Sequence, residues 1–151
     1  MVQLLAGMWE FRNRNVFGAT AFSTYGGFWL SLGGFVILAE LTSLGKAVGN
    51  VDSALGWFLV AFAIFNTYML IWSTRVNYAV FAVFLTLEIT EILLFIGFFD
   101  LAGGGSGTLL KVGGWAGVVT ALVAWYASAA GVGNGMSPNK VLPVGHPFWE
   151  A

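Results

Sequence analysis

Apolar residues run along most of this chain without the period-two alternation of a half-buried strand, and charges are confined to short gaps between long uncharged stretches. A hydrocarbon layer about 30 Å thick is crossed by roughly 20 mainly apolar residues in helical form. Stretches of that kind occupy 16–41, charged only at Glu40; 54–73, with no charge; 76–99, with Glu88 and Glu91 inside; and 109–131, with Lys111 near its start. The connectors, GKAVGNVD at 45–52, Thr74-Arg75 and DLAGGGSG at 100–107, are polar or rich in glycine. They are short, so successive spans are expected to run antiparallel. The pattern predicts an all-α polytopic membrane helix bundle, a single transmembrane domain over 1–151 with four full spans and a tail at 132–151.

Residues 1–11 are apolar except for Gln3 and Glu10. At about 1.5 Å per residue they reach only about half the membrane thickness, which makes them a half-helix. It is read either as an interfacial or re-entrant leader or as the back half of a longer helix. Arg12 and Arg14 follow this apolar run, whereas a cleaved signal peptide carries its positive charge in front.

Composition narrows the function classes. Only 9% of residues are charged and mean hydropathy is +0.84, against about 25% charged in an average soluble domain, so a water-soluble fold is excluded. A net charge of −1 provides no basic footprint for a nucleic acid. With no cysteine and a single histidine, His146, the chain can build neither a thiolate site nor a His cluster. No catalytic residue, metal or cofactor is therefore expected, and an enzyme is the weakest reading. GGGSG at 103–107 lacks the lysine and the strand-to-helix setting of a phosphate-binding loop and reads as a flexible connector. If the spans alternate, Arg12, Arg14, Arg75 and Lys140 share one side while Lys46 and Lys111 share the other. The positive-inside bias makes the first side, and with it the C-terminus, cytoplasmic.

Lipid offers no hydrophobic drive between helices, so close packing relies on small residues. Ala19, Ser23, Gly27 and Ser31 recur every fourth residue in the first span, with Gly18, Gly26 and Gly34 alongside; Gly113, Gly117 and Ala121 repeat the spacing in the last. Such faces serve packing within a protomer or between protomers. Ionisable groups at membrane depth cost about 3 kcal/mol or more, and they turn toward a bundle interior or an aqueous path. Glu88 and Glu91, three residues apart, share a helical face. The pair suits proton exchange, and equally suits neutral acids hydrogen-bonded to another helix. Thr20, Ser23, Thr24 and Tyr25, followed by Phe28 and Trp29, make the start of the first span unusually polar, and Asn66 and Thr67 add donors in the second. Hydroxyls and ring edges suit a small carboxylate, which needs compensation for lost water without a full positive charge that would trap it.

AGMWEF at 6–11 and NVFGATAFSTYGGFWL at 15–30 closely resemble the second-to-third helix signature of the acetate uptake transporter family, which includes bacterial succinate-acetate/proton symporters and fungal ammonia/acetate exporters. GGWAG at 113–117, Ala124-Trp125-Tyr126 and VLPVG at 141–145 resemble its sixth helix and C-terminal segment. The resemblance implies six transmembrane helices per protomer, a homohexamer in the plasma or inner membrane, and uptake of acetate and related monocarboxylates with a proton. It also implies a hydrophobic constriction made by a Phe, a Tyr and a Leu. The Tyr corresponds to Tyr25 and the Leu to Leu87, while the Phe has no counterpart here. Gln3 and Glu10 are similar to a polar residue and an acid on the family's second helix. The residues expected along the substrate path are thus Tyr25, Leu87, Gln3, Thr24, Phe28 and Asn66, and the candidates for proton coupling are Glu88, Glu91 and Glu10.

Two departures stand out. The family's Asn-Pro-Ala-Pro-Leu-Gly-Leu motif is absent, as are its first helix and the front of its second, so the chain is expected to begin at an internal Met of a longer reading frame. Glu88 and Glu91 stand where family members carry apolar or hydroxyl residues, so a coupling role for that pair is read from the residues alone. The expected function is membrane transport of acetate and similar monocarboxylates, proton-coupled or channel-like. The alternative is a non-transporting membrane assembly protein or an inactive fragment of such a transporter. Transport expects a water-accessible row through Tyr25, Asn66 and Glu88, whereas assembly expects those side chains buried against other helices.

Overall fold

A computed structural model describes residues 1–149; Glu150 and Ala151, at the end of the expected tail, lie outside the described residues. The order of elements is α1 (Val2–Arg12), α2 (Val16–Leu41), α3 (Leu44–Val48), α4 (Val51–Ser73), α5 (Tyr78–Ala102) and α6 (Thr108–Met136). Of these, α2, α4, α5 and α6 are long and apolar enough to cross a membrane, and α1 is the half-helix. Large apolar side chains such as Trp29, Ile64, Trp115 and Trp125 stand exposed on these long helices. Their backbone groups are satisfied within each helix, as hydrocarbon requires. The chain is a multi-pass membrane protein.

Helix boundaries depart from the hydrophobic windows for local reasons. Part of the 45–52 connector forms α3, which ends at Gly49, φ +80°. The start of α4 moves forward to Val51 because Asn50 Oδ1 accepts the Ser53 N–H at 2.9 Å, as a helix N-cap does. Asn15 and Asn77 cap α2 and α5 in the same way, accepting from Gly18 N at 3.0 Å and Val80 N at 2.9 Å. At the other end, α6 continues to Met136, into the segment expected to be tail.

Two compact units divide the chain, Met1–Ala54 and the residues from Leu55 onward. In the first, α1 and α2 form an antiparallel hairpin in which Leu4 meets Gly26, Gly7 meets Ser23, and Glu10 meets Gly18. A Cβ on Gly26 would lie 2.5 Å from the Leu4 nitrogen, so only glycine permits this approach. A Cβ added at Gly27, Gly33 or Gly34, by contrast, would meet no atom beyond its own stretch of helix within 4 Å among the described residues. Part of the small-residue face of α2 is therefore occupied by α1, and these later glycines are left open.

In the second unit α5 packs antiparallel to both neighbours. Against α6, Gly97 meets Leu110, Leu94 meets Gly113, and the Thr90 and Thr120 hydroxyls bond at 3.0 Å. Against α4, Phe99 covers Gly56 and stacks edge-on with Trp57 at 5.3 Å, while Phe84 and Glu88 reach Asn66. Interhelical hydrogen bonds of the Thr90–Thr120 type contribute about 0.6 kcal/mol on average. Thr90→Val is accordingly expected to lower stability by less than about 1 kcal/mol in lipid, measured by reversible unfolding.

Candidate functional site

Asn66 is fully buried at the middle of α4. Its Nδ2 donates to the Phe84 carbonyl at 3.0 Å and to Glu88 Oε2 at 2.6 Å, so both amide hydrogens are used within the unit. Thr67, the next residue, lies 2.7 Å from Glu88 Oε1 and 2.9 Å from the Ala63 carbonyl through the same hydroxyl. One hydroxyl hydrogen cannot serve two acceptors fully. The geometry accommodates both states of the acid: ionised, Glu88 accepts from Asn66 and Thr67; protonated on Oε1, it donates to Thr67, whose own hydrogen then goes to Ala63. The two differ by one proton on Glu88 and by the direction of the Thr67 hydroxyl. Thr67 is exposed and Glu88 half-buried, so the carboxyl is reachable from the outside of its unit.

Glu91, one turn on, is 3% exposed. The two acids thus have different surroundings despite their shared helical face, Glu88 being held by α4 and Glu91 buried. Leu87 is half-buried beside Glu88. Among the described residues no group of three or more His, Cys, Asp or Glu is clustered.

The first unit holds the remaining candidates. Tyr25 and Phe28 are buried at 8% and 6% exposure, their rings edge-on at 6.2 Å, and Phe28 stacks in turn on the exposed Trp29 at 4.9 Å. Thr24 is half-buried, and Thr20 returns its hydroxyl to the Val16 carbonyl at 2.9 Å. The buried Ser23 hydroxyl, packed over Gly7, has no hydrogen-bond partner among the described residues. Gln3 is half-buried on α1. Glu10 accepts from Asn15 Nδ2 at 2.6 Å and ties the end of α1 to the cap of α2 across a turn in which Arg14 takes φ +59°. Asn134, discussed below, was not singled out by the sequence; its only signal is an amide set among the glycines of GVGNG at 131–135.

The model of the GPR1/FUN34/yaaH family matches residues 1–146. The chain belongs to this family. It is 39% identical to acetate permease A of Emericella nidulans, over 99% of this chain and 53% of that protein. It is 30% identical to the succinate-acetate/proton symporter SatP of Escherichia coli, over 96% of this chain and 73% of the relative. A solved structure of the bacterial acetate channel SatP superposes with a TM-score of 0.78 at 30% identity, covering 95% of this chain and 75% of that one. The chain spans about half the length of the fungal relatives it matches. Family relatives are described as a permease, a symporter and a channel, not as enzymes.

Proposed function

We propose that the chain forms a transmembrane path for acetate and related short monocarboxylates, with Glu88 as the group that exchanges the accompanying proton. The observation that carries this reading is an acid at membrane depth, held on a fully buried Asn66 and given by Thr67 a hydroxyl that can accept from its protonated form or donate to its ionised form, in a chain of this family. In this proposal Tyr25, Thr24, Phe28 and Gln3 of the first unit and Leu87 of the second serve the path, the roles that the resemblance implies for them. The two units make one transmembrane domain, assembled as a homohexamer in the plasma or inner membrane. Its C-terminus is cytoplasmic in this proposal, on the positive-inside bias of Arg12, Arg14, Arg75 and Lys140.

Glu88→Gln tests the coupling. Asn66 and Thr67 face Glu88 from α4, Glu91 lies one turn along its own helix, and no Lys, Arg or His side chain bonds it among the described residues. Glutamine keeps the shape and loses the titration. Acetate uptake into proteoliposomes that rises as external pH falls is expected to become flat in the variant, with assembly retained; an unchanged pH profile rejects the role. A second reading, a non-transporting assembly protein, is favoured by the burial of Tyr25 and Asn66. Because the chain has no cysteine, Tyr25→Cys and Leu87→Cys can be probed one at a time with a water-soluble thiol reagent. Labelling that acetate slows supports the path, and failure to label supports assembly.

A further inference from the structure

The segment after α6 folds back onto the second unit. Asn134 Oδ1 accepts from Val141 N at 2.7 Å and Leu142 N at 3.0 Å, and its Nδ2 donates to the Leu142 carbonyl at 2.8 Å. Tyr126 donates its hydroxyl to the Pro143 carbonyl at 2.5 Å. Beyond this clasp, the Val144 carbonyl accepts from Ala79 N at 3.0 Å, and Phe148 N donates to the Thr74 carbonyl at 2.9 Å. Tyr78 stacks on His146 at 4.7 Å and on Phe148 at 4.6 Å. Gly145, φ +76°, is the close point, where a Cβ would lie 2.5 Å from the Tyr78 ring.

The two backbone anchors are placed with a consequence. Ala79 is in the first turn of α5, where N–H groups lack intrahelical partners, and Thr74 directly follows the last residue of α4, where carbonyls lack them. One strand of tail therefore satisfies an orphan donor and an orphan acceptor on the two sides of the α4–α5 turn. Asn66 and Glu88 lie on those same two helices, so their contact reads the axial register the tail holds. We propose that residues 141–148 are a register clamp, with Asn134 as its positioning residue, which keeps α5 at the height where Glu88 meets Asn66. The functional weight of this proposal rests on the transport reading above; its geometry does not.

The test uses the full chain in lipid bilayers and two readouts, the side-chain amide signal of Asn66 by magnetic resonance and hydrogen exchange at the start of α5. The signal is assigned by its loss in Asn66→Ala, and its position without the acid is set by Glu88→Gln. In Asn134→Ala, exchange around Ala79 is expected to rise at least about tenfold, equivalent to roughly 1.4 kcal/mol, and the Asn66 signal to move at least halfway toward its Glu88→Gln position. Adding Ala79→Cys and Val144→Cys, whose backbones already meet, and oxidising the pair should return the signal, and reduction should release it again. Faster exchange with an unmoved Asn66 signal, or a cross-link that restores nothing, overturns the clamp. Should Asn134→Ala fail to insert, Tyr126→Phe removes a single bond of the clasp and is held to the same criteria. If the clamp holds by both readouts while the unmodified protein takes up no acetate, the transport reading fails alone.

Discussion

Gly97→Val is expected to destabilise the second unit strongly. A Cβ at this position would lie 2.6 Å from the Leu110 nitrogen and 2.8 Å from its Cα. Both are backbone atoms, so no side-chain rotation relieves the overlap and α5 must move away from α6, stretching the Thr90–Thr120 bond with it. Overpacking of this kind costs about 1–3 kcal/mol and at times more. The measurement is the unfolding midpoint in lipid or mild detergent, with Gly114→Val as control. A Cβ added at Gly114 would meet no atom beyond its own stretch of helix within 4 Å among the described residues, and that variant should stay close to the parent. Equal losses in the two would show that β-branching rather than close approach sets the effect.

Asn66→Ala is expected to disrupt the Glu88 site and to lower its function strongly. The substitution removes the Nδ2 donor at 2.6 Å from Glu88 Oε2 and leaves a void where a fully buried amide stood. An acceptor stripped of its partner in a buried setting costs about 1–3 kcal/mol. Uptake of acetate should fall by about tenfold or more, the equivalent of roughly 1.4 kcal/mol, with its pH dependence reduced in the surviving activity. Thr67→Val separates the roles, because it deletes the hydroxyl at 2.7 Å from Oε1 and keeps the amide bond. Its stability should change little, while the pH profile should shift. If Thr67→Val left the profile untouched and Asn66→Ala lowered uptake only in proportion to folded protein, Asn66 would be a packing residue and no more.

Much of the fold was legible because lipid imposes a simple requirement. Apolar runs such as 16–41, charged only at Glu40, could only be spanning helices, and the helix observed there has those bounds. What escaped the hydrophobic pattern were features decided by single amides. Asn50, Asn15 and Asn77 set helix starts through side-chain bonds that no window average registers. Asn134 extends the ordered chain past the last span by binding backbone seven and eight positions ahead. The recurrence of small residues in the first span was equally visible, but the burial of Gly18 and Gly26 beside the openness of Gly27 depends on where α1 lies.

The candidate site divides in the same way. Glu88 and Glu91 were conspicuous as charges at membrane depth, and their spacing put them on one face. Which of the two would be held by α4 was not encoded in that spacing, since Asn66 lies 22 positions from Glu88 and finds it only through the antiparallel packing of α4 on α5. By itself, then, the sequence determined that this chain lives in a membrane, how many times it can cross, and which acids must find partners there, because burying unpaired charge or backbone in hydrocarbon is prohibitive. Tertiary structure alone decided which partners they found. Hydrogen bonds of the 3 Å class are short-ranged and directional, and only the final register of two helices brings their ends together.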